Sequence, residues 1–177
     1  IHYADFAVCA GTEAERHPLI GPHTEIRRTV APDVLRLKEV NGTPPHPQPY
    51  LVFLDEAIDV PHPDYARLHY APPNKYTYLS QMHTLFNAVQ NKGYRVVIAS
   101  HPCRPRGMVS RWPHFPSADT PNLVAHAAFV MAHSSTSVSF AVLLGKPVRI
   151  LIRDCLKGRP EEASAQAMQA ALARGDY

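Results

Sequence analysis

The sequence predicts an α/β fold, because short apolar runs alternate with longer helix-patterned segments along most of its 177 residues. Four of these runs have the length and composition of buried strands: Tyr50 to Leu54, Arg95 to Ser100, Phe129 to Ala132 and Val148 to Ile152. Helix-patterned segments separate these runs. Each helix would carry the chain from the end of one strand back to the edge where the next strand begins, so that the strands run parallel. The alternation therefore predicts a Rossmann-like three-layer αβα sandwich with a mostly parallel sheet.

The longest predicted helix runs from Asn74 to Lys92. Its apolar side chains recur at positions i, i+3, i+7 and i+10, which places them in one stripe along the helix. The stripe consists of Leu79, Met82, Phe86 and Val89. Gly93 follows, and a glycine there suits the left-handed residue that ends many helices. We expect this helix to cover one face of the sheet.

Three further helices are predicted from their end signals. Thr120 to His126 carries a proline in its first turn, where the missing N–H would be unpaired in any case. Ser135 to Leu144 is apolar nearly all round and stops at Gly145-Lys146-Pro147, which indicates a buried helix. Pro160 and two glutamates open an alanine-rich helix that ends at about Arg174.

Residues 1–49 have a different character. Phe6 to Ala10 has the pattern of a strand, and Thr43 to Pro49 contains four prolines, which favours a stiff, extended connector. We predict that residues 1–49 are an N-terminal arm, formed by the tail of a preceding domain and a proline-rich linker. Residues 50–177 would then form the Rossmann-like domain. The chain opens with Ile1 and shows no signal peptide, so we expect it to be part of a longer protein.

Composition and charge exclude several classes of function. The apolar runs are far shorter than the roughly 18 residues that a membrane span needs. The net charge of +3 is dispersed, which argues against a nucleic acid as partner. The three cysteines are widely spaced, which fits neither a disulfide framework nor a zinc site and favours the cytoplasm. The histidines lack the paired spacing of metal ligands, so no metal is expected.

Chemically unusual residues follow three of the predicted strands, where ligands of open α/β sheets bind. The first group is Asp55-Glu56, followed by His62-Pro63-Asp64. These groups have the chemistry of a general acid, a general base or a partner for sugar hydroxyls. The alternative is a solvated loop in which the acids cap a turn.

The second group is Ser100 to Arg104. His101 can donate from Nε2 to a phosphate oxygen, and Arg104 can add a fork of donors. The alternative is a histidine that bonds to a backbone carbonyl. Further along, Trp112 to Pro116 is interpreted as the hydrophobic plug of a loop, with stacking on a base or sugar as the alternative.

The third group is His133 to Ser137, between a predicted strand and the buried helix. Hydroxyls and unpaired N–H groups at a helix start can form an anion pocket, and short side chains allow a phosphate to approach the backbone. One of these residues serves as the N-cap, which needs only one hydroxyl. The remaining hydroxyls favour a phosphate site. The sequence contains no GxGxxG, P-loop, GxSxG or HExxH signature that would support another site.

This order of motifs resembles the C-terminal nucleotide-binding half of GT-B glycosyltransferases, especially the surface and capsular polysaccharide group. Bacterial sialyltransferases, Kdo transferases and polyol-phosphate transferases hold the donor phosphate with a His-Pro and a Ser-Ser/Thr motif. The similar positions here are His101-Pro102 and Ser134 to Thr136, and Gly145 to Val148 closes the helix that follows. Leu51 to Asp64 is similar to the strand and loop that open this half. The resemblance spans about residues 50–152.

The resemblance implies a domain that binds a nucleotide-activated sugar as substrate, with CMP as the expected nucleotide and with no cofactor. The residues implied in phosphate binding are His101, Arg104, His133, Ser134, Ser135 and Thr136. Asp55 and Glu56 are the catalytic candidates. The implied partners are a saccharide or lipid-linked acceptor and an N-terminal domain of the same chain. A lipid-linked acceptor would bring this cytoplasmic protein to the inner face of the membrane.

Two other functions remain compatible with these residues. A nucleotide-sugar 2-epimerase shares the GT-B architecture and a phosphate-binding helix start. A non-catalytic module would recognise a sugar nucleotide without turning it over. The acid and base groups of the other GT-B half distinguish the epimerase, and full affinity without activity in the full-length protein would indicate the non-catalytic module. The acceptor side and the usual base of a GT-B enzyme lie mostly in that other half, so we expect the present chain alone to bind its ligand without turnover.

Overall fold

The computed structural model describes residues 2–61, 65, 67, 69–104 and 111–174. The chain divides into two compact units, residues 1–38 and residues 39–177. The first unit contains two parallel strands, β1 (Phe6–Cys9) and β2 (Glu25–Arg28), together with a 3₁₀ helix (Glu13–Arg16) and the short helix α1 (Pro32–Arg36). The sequence indicated only the first strand. The assignment of residues 1–49 to a preceding domain and its linker stays a prediction.

The second unit is built on a five-stranded, all-parallel sheet in the order β5-β4-β3-β6-β7. Its strands are β3 (Tyr50–Leu54), β4 (Arg95–Ala99), β5 (His114–Phe115), β6 (Phe129–Ala132) and β7 (Val148–Ile150). Its helices are α2 (Lys75–Gln90), α3 (Thr120–His126), α4 (Val138–Leu143) and α5 (Pro160–Arg174). Short 3₁₀ helices cover Leu37–Glu39, Ser117–Asp119 and Asp154–Leu156. The predicted α/β, Rossmann-like sandwich is confirmed.

Alternating side chains of the buried strand β3 build the core on both faces of the sheet. Phe53 packs in one cluster with Met82 and Phe86 of α2. Tyr50 points to the other face, where its hydroxyl donates to the carbonyl of Leu123 in α3 at 2.8 Å. Helices α3 and α4 also contact each other. Helix α2 therefore covers one face, and α3 and α4 cover the other.

Helix α2 is slightly shorter than the predicted Asn74 to Lys92, and the predicted glycine follows its end. The side chain of Asn74 caps its start, because Oδ1 accepts the N–H of Thr77 at 3.0 Å. Gly93 follows its end with a φ of +88°, a backbone conformation that side chains with a Cβ rarely adopt. The two ends fix the position at which the apolar stripe meets the sheet.

Helix α4 begins three residues later than the sequence suggested. The predicted start at Ser135 is wrong, because residues 135–137 form turns in which Ser135 Oγ accepts the N–H of Ser137 at 3.3 Å. Such local side-chain bonds compete with helix formation. The end is as expected: Gly145 has a φ of +63°, and Lys146 N–H donates to the carbonyl of Ala141 at 2.8 Å. The hydroxyl-rich segment is thus a loop that precedes a short helix.

Strand β5 was not anticipated. It has two residues, His114 and Phe115, which pair with Ile98 and Ala99 of β4. Prolines flank it on both sides, and a proline cannot donate a ladder hydrogen bond, so the pattern indicated a loop. The neighbouring Trp112 is buried and meets the ring of Phe86 edge to face.

Candidate functional site

The strand order creates a topological switch point between β3 and β6. From β3, the chain passes to β4 and β5 on one side and then to β6 and β7 on the other. Ligands of open α/β sheets bind in the crevice outside the carboxyl ends of the strands at such a point. Asp55-Glu56 follows β3, and His133-Ser134 follows β6. Two of the three predicted motifs therefore meet at one crevice.

The carboxylate of Glu56 connects these two strand ends. Its Oε1 accepts the backbone N–H of His133 at 2.8 Å and that of Ser134 at 2.9 Å. Its Oε2 accepts the N–H and the hydroxyl of Ser134, both at 2.9 Å. The loop after β6 therefore presents convergent donors to an oxyanion, which in this structure belongs to the protein itself.

Asp55 is the centre of a buried ion-pair network. Its carboxylate accepts the N–H of Ala57 at 3.1 Å and that of His101 at 3.2 Å. It also accepts from Nη2 of Arg104 and, at 2.8 Å, from Nε. Arg104 Nη1 donates to Asp59 at 2.7 Å, and all three ionic side chains are buried. Asp55 therefore connects the turn after β3 to the loop after β4.

The charges of this network set its pKa values. Burial acts to raise the pKa of Asp55, but the hydrogen bonds and charge of Arg104 outweigh it, so that pKa lies below its usual value. Burial acts to lower the pKa of Arg104, but the two carboxylates raise it above its usual value. An ionised carboxylate that accepts four hydrogen bonds is a poor proton acceptor, so Asp55 and Arg104 position the loops here.

His101 lies beside this network. Its backbone N–H is the one that bonds to Asp55, and its Nδ1 accepts the N–H of Cys103 at 3.1 Å. Because Nδ1 accepts, the proton of the neutral ring belongs on Nε2. That is the nitrogen expected to donate to a phosphate.

The imidazole of His133 is held inside the protein. Nδ1 bonds to the carbonyl of Leu151 at 2.7 Å and so carries the proton, while Nε2 accepts from the hydroxyl of Tyr78 at 3.3 Å. Burial lowers the pKa of this ring. The backbone N–H of His133, rather than its ring, therefore faces the crevice.

The other predicted residues differ in their positions. Ser135 turns its hydroxyl to its own loop, and Thr136 is exposed. His62-Pro63-Asp64 lies outside the described residues. Sequence reasoning did not single out Asp59, which completes the ion pairs, or Tyr78, which bonds to His133. Asp59 follows the Asp55-Glu56 pair closely, but nothing in its spacing indicates a partner 45 residues away.

A cavity of about 300 Å³ lies between α2 and the carboxyl ends of β3, β4 and β5. Phe53, Phe86 and Trp112 form part of its wall. His114 also lines it and bonds through Nδ1 to the hydroxyl of Ser100 at 2.9 Å. Burial lowers the pKa of His114. The sequence interpretation of this segment as a plug did not reveal the cavity.

Within residues 2–61, 65, 67, 69–104 and 111–174, no group of three or more His, Cys, Asp or Glu side chains is arranged to hold a metal ion. Over the same residues, every helix is too short or too polar to cross a bilayer.

Comparisons with models of known protein families, with curated proteins and with solved structures give no match.

Lowering the pH is expected to destabilise the second unit in the range below about 6.5. Burial lowers the pKa values of His133 and His114 in the folded protein. As the pH falls, these two imidazoles therefore bind more protons in the unfolded chain than in the folded chain. The two neutral imidazoles make their full contribution to the free energy of unfolding above the pKa of the unfolded chain. This contribution is lost as the pH falls toward the lower pKa values of the folded protein. Urea unfolding between pH 7.5 and 5.5 measures this slope.

The variant His133→Gln should show a shallower slope than the wild type. A free energy of unfolding that is constant over this range in the wild type would contradict the burial of neutral imidazoles.

Proposed function

We propose that this chain is the donor-binding domain of a GT-B glycosyltransferase that takes a sugar from a nucleotide-activated donor. The observation that carries the proposal is the contact of Glu56 with the N–H groups of His133 and Ser134 at the switch point. A carboxylate and a phosphate both offer acceptor oxygens, so a loop whose donors converge on a carboxylate can also bind a phosphate.

In this proposal, a phosphate of the donor replaces the carboxylate of Glu56. The two backbone N–H groups and the hydroxyl of Ser134 then donate to the phosphate oxygens. Negative charge builds up on the nucleotide phosphate as the bond to the sugar breaks, and fixed donors stabilise that charge without reorganisation. The same donors thus serve binding and the transition state.

Two neighbouring groups support this step. The imidazole of His101, which carries its proton on Nε2, would donate to a second phosphate oxygen. Asp55 and Arg104 would position that histidine through the backbone bond at 3.2 Å. Once displaced, Glu56 would contact the sugar or the acceptor as an acid, a base or a partner for hydroxyls.

The wider setting follows from the resemblance of the motifs. We place the reaction in bacterial surface polysaccharide synthesis, capsule included, with CMP as the donor nucleotide and a saccharide or lipid-linked acceptor. A further domain, N-terminal in the same chain, would hold the acceptor and leave this domain to bind the donor. The reaction would take place in the cytoplasm, at the inner face of the membrane where the acceptor is lipid-linked.

A calorimetric titration of the chain with CMP, CDP, UDP and GDP tests the proposal. We expect selective binding of one nucleotide, weakened at least about tenfold by His101→Ala, because a hydrogen bond to a charged group contributes about 1.5–3 kcal/mol. Ser134→Ala should weaken it less, because its hydroxyl already bonds to Glu56 in the free protein and only exchanges that partner for the phosphate. Ser80→Ala, at an exposed position of α2, is the matched control and should bind like the wild type. Absence of binding, or wild-type affinity in His101→Ala, would overturn the proposal.

A further inference from the structure

The cavity beside α2 has an aromatic wall that suits a flat ring. Phe53, Phe86 and Trp112 line it, and the ring centroids of Phe86 with Phe53 and with Trp112 are 5.3 Å and 5.0 Å apart, in both cases edge to face. Its volume of about 300 Å³ lies at the lower end of the range for small-molecule pockets, about 300–1,000 Å³. Aromatic walls of this kind favour a planar, apolar body.

The rim of the cavity is cationic. Lys75 and Arg111 line it and are exposed, and Lys75 forms no ion pair with any other described residue. Arg111 lies over the ring of Trp112 at 6.0 Å and donates to Asn87 at 3.0 Å. The one carboxylate of the lining, Asp55, shares Arg104 with Asp59, so this buried triad carries one net negative charge against the two positive charges of Lys75 and Arg111. The rim therefore favours an anionic group on the ligand.

Among the described residues, one polar atom of the wall has no hydrogen-bond partner. His114 Nε2 is buried and forms no hydrogen bond with any described residue, while Nδ1 is engaged by Ser100. A buried polar group without a hydrogen-bond partner destabilises the folded protein. A hydroxyl group on a ligand would satisfy either tautomer of this ring, because it both donates and accepts.

We propose that this cavity is a binding site for a small aromatic acid, separate from the proposed phosphate site. Its ring would lie among Phe53, Phe86 and Trp112, and its acid group would meet Lys75 and Arg111 at the rim. A hydroxyl group on the ring would bond to His114 Nε2. The inference stands on the cavity and does not depend on the glycosyltransferase proposal.

Calorimetric titration with 6-hydroxy-2-naphthoate tests this site, with its neutral amide as the matched ligand. We expect the amide to bind at least tenfold more weakly, because it lacks the charge that the rim attracts, and 2-naphthoate to bind more weakly because it lacks the hydroxyl. The double variant Lys75→Gln/Arg111→Gln should lose the preference for the acid. Lys92→Gln, at the other end of α2, should keep it.

Two further variants locate the bound ring. Leu79 lines the cavity and is only partly buried, so Leu79→Trp should fill the cavity and abolish binding. Circular dichroism checks that this variant folds. Ser134→Ala should bind like the wild type, because it lies at the other site. Equal affinities for acid and amide, no binding of either, or unchanged binding in a folded Leu79→Trp would overturn the inference.

Discussion

Replacement of Arg104 by methionine is expected to lower the free energy of unfolding by about 3–5 kcal/mol, because it leaves two buried carboxylates without their cation. The side chains of Asp55 and Asp59 are 2% and 0% exposed, so water cannot replace the guanidinium. Urea unfolding at pH 7 measures the loss. Arg104→Lys should lose less, because it retains a charge at the same place.

Arg111→Met is the matched control for this prediction. Arg111 is exposed, and its loss should change the free energy of unfolding by less than about 1 kcal/mol. If Arg104→Met were as stable as this control, the ion pairs would not hold the two loops together, and Arg104 would be a binding residue only.

Replacement of Glu56 by alanine is expected to have two effects of opposite kind. The free energy of unfolding should fall by about 2 kcal/mol, because hydrogen bonds to a charged group contribute about 1.5–3 kcal/mol and the half-buried donors regain water. Inorganic phosphate should then stabilise the variant more than the wild type, because the donors of His133 and Ser134 are vacant. At a tenfold excess over its Kd, phosphate would restore about 1.4 kcal/mol.

Glu162→Ala provides the matched control, because Glu162 is another carboxylate that accepts a backbone N–H, from Gly158 at 2.7 Å. Its loss should confer no added response to phosphate. A Glu56→Ala variant that phosphate stabilises no more than it does the wild type would show that these donors do not form an anion site. Thermal unfolding at several phosphate concentrations distinguishes the results.

The layout of the second unit could be predicted because its signals are local. Strands β3 and β6 and helices α3 and α5 have the predicted bounds, since each is an apolar run or stripe with a proline or polar residue at its end. Strand β5 is too short for such a signal. Helix α4 was predicted too long, because the hydroxyl of Ser135 accepts a hydrogen bond within its own loop, a contact that competes with helix formation.

The contacts of the candidate site could be predicted only in part. The ends of β3, β4 and β6 were recognised as chemically unusual, which singled out Glu56, Arg104 and Ser134. Their partners were not apparent, because Glu56 and Ser134 are 78 residues apart and Arg104 and Asp55 are 49 residues apart. Such pairs depend on which strands become neighbours, and the spacing of residues along the chain does not encode that order.

In the proposed function, the loop after β6 holds an oxyanion of the ligand on the backbone N–H groups of His133 and Ser134. The most direct measurement follows the backbone amide signals of ¹⁵N-labelled protein by NMR during a titration with CMP and CDP. We expect the signals of these two residues to shift most, with the affinity that calorimetry gives. Signals of both residues that stay unchanged while the nucleotide binds elsewhere, or does not bind, would contradict it.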